Sequence, residues 1–135
     1  MNAFKAVNAI LQKHYFSGTS ATGTTQHFDI NIPAGIRKFS ITLCWSDPPA
    51  AANADRALIN DLDLTLQELN SGATWQPWVL SSFPHKDSLL LPARRTRDSL
   101  NNVEQVTIDN PAGGSYRIAV HGYSVPSAPQ SWFAS

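Results

Sequence analysis

The chain has 135 residues, room for one domain with a real core and too little for two. Apolar residues make up 42% and charged residues 15%, and ten acids balance ten bases, which excludes a disordered chain and the basic footprint of a nucleic-acid binder. No apolar run is long enough to span a membrane, the single cysteine, Cys44, rules out an intrachain disulfide, and the first residues lack the pattern of a signal peptide.

In chain order, a helix is expected first, over about 1–16, from Phe4, Val7, Ile10 and Leu11 at helical spacing, with Asn2 as its N-cap. It is the only strong helical pattern, so it must pack on something, and a neighbouring domain is the natural partner. Residues 17–26 are rich in Gly, Ser and Thr and read as a linker or opening loop. From 27 to 135 the pattern is that of strands. Phe28, Ile30 and Ile32 alternate up to Pro33, and Phe39, Ile41, Leu43 and Trp45 alternate again, with Cys44 between them as a structural thiol. A long loop leads to Leu62, Leu64 and Leu66. Residues 75–80 form an interrupted strand, placed at an edge or bulge by Pro77. Residues 81–100 show no regular pattern. Val106 and Ile108, then Tyr116, Ile118 and Val120, and finally Trp132 and Phe133 complete about seven or eight strands, the count of a β-sandwich or jelly roll.

Charge is unevenly spread along this frame. Four aspartates lie between Asp47 and Asp63 against the single Arg56, and Arg94, Arg95 and Arg97 gather just before Asp98. Asp61 and Asp63 share the face of a strand opposite its leucines, and Asp is a poor strand former, so a compensating partner is expected. Glu104 has the parity of Val106 and Ile108 and should point inward, where an unpaired carboxylate is costly. A cation, one of the three arginines, or a β-bulge would each resolve this. Calcium takes six to eight oxygens, and Asp47, Asp61, Asp63 and Glu104, helped by Asn60 or Asn102, are the candidate metal ligands. Equally, Asp47 can start a turn, the two asparagines can cap loops, and the other carboxylates can be solvated.

Several motifs in series carry a resemblance. They are Leu43-Cys44-Trp45-Ser46-Asp47-Pro48-Pro49, Leu58-Ile59-Asn60-Asp61-Leu62-Asp63-Leu64, Asp98 with Asn101-Asn102-Val103-Glu104-Gln105-Val106, Gly114-Ser115-Tyr116-Arg117-Ile118-Ala119-Val120, and Pro129-Gln130. Together, from about Phe28 to Gln130, they resemble the C-terminal β-sandwich that follows the catalytic domain in one group of subtilisin-like serine proteases. Asn2-Ala3-Phe4-Lys5-Ala6 is similar to the last helix of such a catalytic domain. The resemblance implies an all-β jelly-roll accessory domain of the galactose-binding-like kind, related to the P domain of proprotein convertases. It also implies residues 1–16 as the end of a catalytic domain, a non-catalytic role in stabilising that domain or assisting substrate access, structural calcium in some members, and secretion to the periplasm, cell surface or medium. The protease machinery itself is not matched. Gly18-Thr19-Ser20-Ala21-Thr22 and His121-Gly122 resemble subtilase motifs only superficially, without the context a triad needs.

The rival reading is a carbohydrate- or protein-binding module, for which Trp75, Trp78 and Trp132 are the candidate surface, since exposed indoles hold sugar rings and partner chains. His14, His27, His85 and His121 are scattered without metal-ligand pairing.

Overall fold

The structure is a computed structural model and describes residues 3–12 and 14–135. The expected N-cap Asn2 and the side chain of Phe4 lie outside the described residues. Helix α1 (Ala3–Leu11) is followed by ten strands: β1 (Phe16–Ser20), β2 (Thr25–Ile32), β3 (Lys38–Trp45), β4 (Asp61–Glu68), β5 (Thr74–Trp75), β6 (Trp78–Val79), β7 (Arg94–Arg95), β8 (Val103–Asp109), β9 (Gly114–Ser124) and β10 (Gln130–Ala134). A short helix, α2 (Lys86–Leu89), sits between β6 and β7.

Two four-stranded antiparallel sheets form the sandwich, in the orders β1-β10-β3-β8 and β2-β9-β4-β5. The pairings nest, β1 with β10, β2 with β9, β3 with β8 and β4 with β5, as in one long hairpin rolled up on itself, which is the jelly roll. The alternation read from the sequence sets the facing. Ile41, Leu43, Trp45, Val106, Trp132 and Ala134 of the first sheet meet Ile32, Leu62, Leu64, Leu66, Tyr116, Ile118 and Val120 of the second, all buried. Residues between them turn outward, Cys44 among them, which is exposed on the outer face of its sheet.

Two expectations are corrected and a third is extended. Residues 17–26 are not a linker, because Ser17 to Ser20 pair with Ser131 to Phe133 and Gln130 as an edge of the first sheet and Thr25 opens β2. The stretch carries no apolar alternation because an edge strand with one half-solvated face does not need one, and its inner contact is polar: buried Ser20 accepts the Trp132 indole N–H at 3.0 Å. The first helix ends at Leu11 and not near residue 16, the chain continuing through Gln12 N–H to Asn8 and His14 N–H to Ala9 bonds. Pro77 does more than mark an edge, since it divides the segment between two sheets, Trp75 pairing with Leu66 and Trp78 with Arg95.

One glycine is required by packing. The carbonyl of Ala21, in the turn between β1 and β2, lies where a Cβ on Gly122 would be, and the turn is tied to β9 by Gly23 N–H to Gly122 O at 2.8 Å and Gly122 N–H to Thr24 O at 2.9 Å. Gly122→Ala should therefore lower stability by about 1–3 kcal/mol in a denaturant melt, the usual cost of overpacking a fixed contact; an unchanged melt would show that the turn can move aside.

Candidate functional site

The residues singled out at the acidic end are drawn together by the β4–β8 side of the sandwich, but in roles that differ from one another. β9 bulges against the start of β4, Asp61 pairing with Ser124 and Leu62 with Gly122, so that Tyr123 is left over. The bulge lets Asp61 and Leu62 both be buried although they are neighbours on a strand. Asp61 is then met by two guanidinium groups, Arg56 at 2.9 Å and Arg97 in a closer contact. Arg97 Nε also lies 3.0 and 3.1 Å from the two oxygens of half-buried Asp63, the second with hydrogen-bond geometry, and its guanidinium stacks 3.5 Å from the centre of the Tyr123 ring. The leftover residue of the bulge thus supplies the shelf on which the arginine rests.

Glu104 points inward, as its parity requires, and is 2% exposed. One of its oxygens accepts the Leu64 N–H at 2.6 Å. Burial pushes its carboxyl up to about 9; the Leu64 hydrogen bond works against this, while Asp63, Asp98 and Asp61 push the same way. Glu104 is therefore a neutral acid at pH 7. Burial also raises Asp63, against the pull of Arg97. Asp98, nearly buried, accepts the N–H groups of Leu100 and Asn101 and the Asn101 side-chain amide. Asp47 stands apart: its two oxygens each accept a backbone N–H at 2.7 Å, from Ile59 and Asn60.

Asn60 and Asn102 serve the scaffold. Asn60 is fully buried, donates to Ser127 O and the Gln130 side chain, accepts from Ser127 N–H, and its carbonyl receives the Trp45 indole. Gln130 in turn donates to Ser46 O and Ser131 O, and Asn102 to Trp45 O.

This donor set does not fit calcium. Among the described residues no group of three or more His, Cys, Asp or Glu side chains is placed to hold a metal ion. Three buried oxygens, on Asp61, Asp63 and Glu104, lack a hydrogen-bond partner, and such orphans are what a cation would satisfy. The local charge is nonetheless answered in part: Asp61 and Asp63 balance Arg56 and Arg97, and both Asp47 oxygens are occupied. A divalent ion would sit beside two guanidinium groups. The partner that the two aspartates require is arginine. The run Arg94-Arg95-Thr96-Arg97 signals this in the sequence, whereas Arg56, inside the acidic loop itself, carried no such signal.

The aromatic candidates do not form one surface. Trp132 is completely buried, a core residue because β10 is an inner strand of its sheet. Trp75 is partly buried, its ring 6.1 Å from that of Tyr116. Trp78 is half-exposed, but Arg95 lies 4.2 Å over its ring and its indole donates to Thr107, while Arg95 also donates to Thr107 O and Gln76 O. These contacts pin the β6–β7 ribbon to β8. Of the superficial protease motifs, Ser20 is buried against Trp132 and His121 Nδ1 lies 2.8 Å from the Thr25 hydroxyl.

No family model matches the chain. It is 32% identical over 109 residues to the Serine protease/ABC transporter B family protein tagD of Dictyostelium discoideum, covering 73% of this chain and 5% of that protein. It is 34% identical over 93 residues to the tagB protein of the same name and organism, covering 67% of this chain and 5% of that protein. The chain thus spans about one twentieth of the length of these curated relatives. Among solved structures it is similar to a protein from Sulfurospirillum deleyianum, with a TM-score of 0.46 and 10% identity over 89% of this chain and 95% of that one. It is also similar to the periplasmic inhibitor of g-type lysozyme from Aeromonas hydrophila, with a TM-score of 0.36 and 15% identity over 90% and 82% of the two chains.

Two outcomes follow from the proton and the arginines. A carboxyl raised from 4.5 in the unfolded chain to about 9 in the fold stabilises fully below the lower value, and that contribution is lost as pH rises through the higher one. Unfolding free energy should fall between those limits by up to about 1.4 kcal/mol per pH unit, and Glu104→Gln should flatten the profile; an equal slope in the variant would remove Glu104 as its source. In thermal melts, excess calcium and a chelator should give coincident midpoints, whereas a calcium-dependent rise abolished by Asp63→Ala would restore a metal to this end.

Proposed function

We propose that this chain is a non-catalytic accessory domain of a secreted subtilisin-like serine protease, stabilising the catalytic domain and assisting access of protein substrates to it. The local likeness to two proteins named as serine proteases carries this reading. Three features of the molecule support it. The polar residues of the resembling motifs, Asp47, Asn60, Asp98, Glu104 and Gln130, hold loops and sheets together and face no open chemistry. Buried Ser20 is not an available nucleophile, and the hydroxyl that lies 2.8 Å from His121 Nδ1 belongs to Thr25 and not to a serine. Finally, α1 precedes the sandwich and belongs to neither sheet, as the last helix of a preceding catalytic domain would.

Among the described residues no helix is long and apolar enough to cross a membrane. A carbohydrate- or protein-binding module is the weaker reading, because of its three indoles Trp132 is buried, Trp75 is partly buried and Trp78 is capped by an arginine. The test is to express the parent open reading frame with and without residues 16–135. Removing the sandwich should leave peptidase activity detectable but lower its half-inactivation temperature by several degrees. Equal heat resistance would remove the stabilising role, and a parent frame with no peptidase domain would remove the reading altogether.

A further inference from the structure

We infer that the open cleft between β2 and β3 is a seat for α1, which docks there through Val7, Ile10 and Leu11. The cleft has a volume of about 570 Å³, and its walls are Phe16, Ile30, Ile32, Ile36, Phe39 and Ile41. Four of these, Phe16, Ile30, Ile36 and Phe39, pack on the core yet remain only partly buried. A cavity of roughly 150 Å³ admits one benzene-sized group, so this one has room for three aliphatic side chains.

The chain itself supplies the occupant. Val7, Ile10 and Leu11 are 55%, 65% and 72% exposed, three large apolar side chains on one stripe of a helix. The helix cannot travel far. His14, whose N–H bonds to Ala9 O, lines the cleft, as does Phe16, the first residue of β1. Only Tyr15 stands between His14 and the sandwich. A helix of nine residues is about 14 Å long, so pivoting at Tyr15 sweeps its stripe across the cleft mouth. One movement then removes two apolar surfaces from water, and the same solvent entropy favours both.

This seat does not depend on the protease reading. Where that reading holds, seating α1 would fix the angle at which the preceding domain meets the sandwich, since the helix is the connection between them.

The test uses the full chain and two substitutions that add the same charge. Ile10→Asp puts a carboxylate on the stripe, and Asn8→Asp puts one on the same helix beside it; neither side chain is in the sandwich core, so folding is not at risk. With a dye that fluoresces on apolar surface, Ile10→Asp should raise emission about threefold over the unsubstituted chain and lower the melting midpoint by several degrees, with Asn8→Asp changing neither. In a Cys44→Ser background, Val7→Cys with Ile36→Cys should close an intrachain disulfide on air oxidation. Indistinguishable behaviour of Ile10→Asp and Asn8→Asp would overturn the proposal. A disulfide formed only between chains would also overturn it, and would assign the stripe to a second copy.

Discussion

The Leu64 N–H reaches across the sandwich to the Glu104 carboxyl because β5 covers the free edge of β4 only at Leu66 and Gln67. A buried backbone donor without a partner costs about 1–3 kcal/mol, and among the described residues no further strand pairs with this one. A side chain of the opposite sheet does so instead. Since β8 is itself an edge strand, one bond closes the side on which both sheets end. A neutral acid suits this position, because it accepts from the backbone without placing a bare charge in the core.

Everything around that bond is arranged to keep charge accounted for. The bulge that buries Asp61 also turns out Tyr123, whose ring supports Arg97, and Arg97 binds both aspartates at the entrance of β4. The segment that carries Arg97 leads directly into Asp98, whose oxygens fold the turn preceding β8 and so place Glu104. At the starts of β4 and β10, Asn60 and Gln130 do the corresponding work with amides, joining the β3–β4 and β9–β10 loops through bonds that leave neither side chain unsatisfied. Breaking such a network at one member exposes the others, which is why polar residues in these motifs read as functional although they are structural.

That ambiguity explains which parts of the candidate site were legible. Two aspartates beside leucines, and a glutamate with core parity, state that buried carboxylates exist and need partners. They do not state which partner. Calcium and arginine answer the same electrostatic demand, and the choice turns on whether loops separated by more than thirty residues converge, which spacing along the chain does not encode. The tryptophans show the same limit in reverse. All three are plausible surface residues by position, but Trp132 is interior because its strand is flanked by β1 on one side and β3 on the other. The pairing partner β1 was hidden by its Gly, Ser and Thr content.

What the sequence determined by itself was the period: alternation of apolar residues from Phe28 to Val120 fixes strands, their inward faces and the turns between them, because a one-residue slip would expose the whole core. It likewise gave Glu104 the parity of the core face, and the unbroken register of β8 against β3 made that an inward side chain. Tertiary structure alone decided the nesting of pairs that makes a jelly roll, the edge position of β1, the bulge opposite Asp61 and the counter-ions of the acidic end. These depend on contacts between residues far apart in the chain, where loop length permits many pairings and only the joint burial of apolar faces and the satisfaction of buried donors selects one.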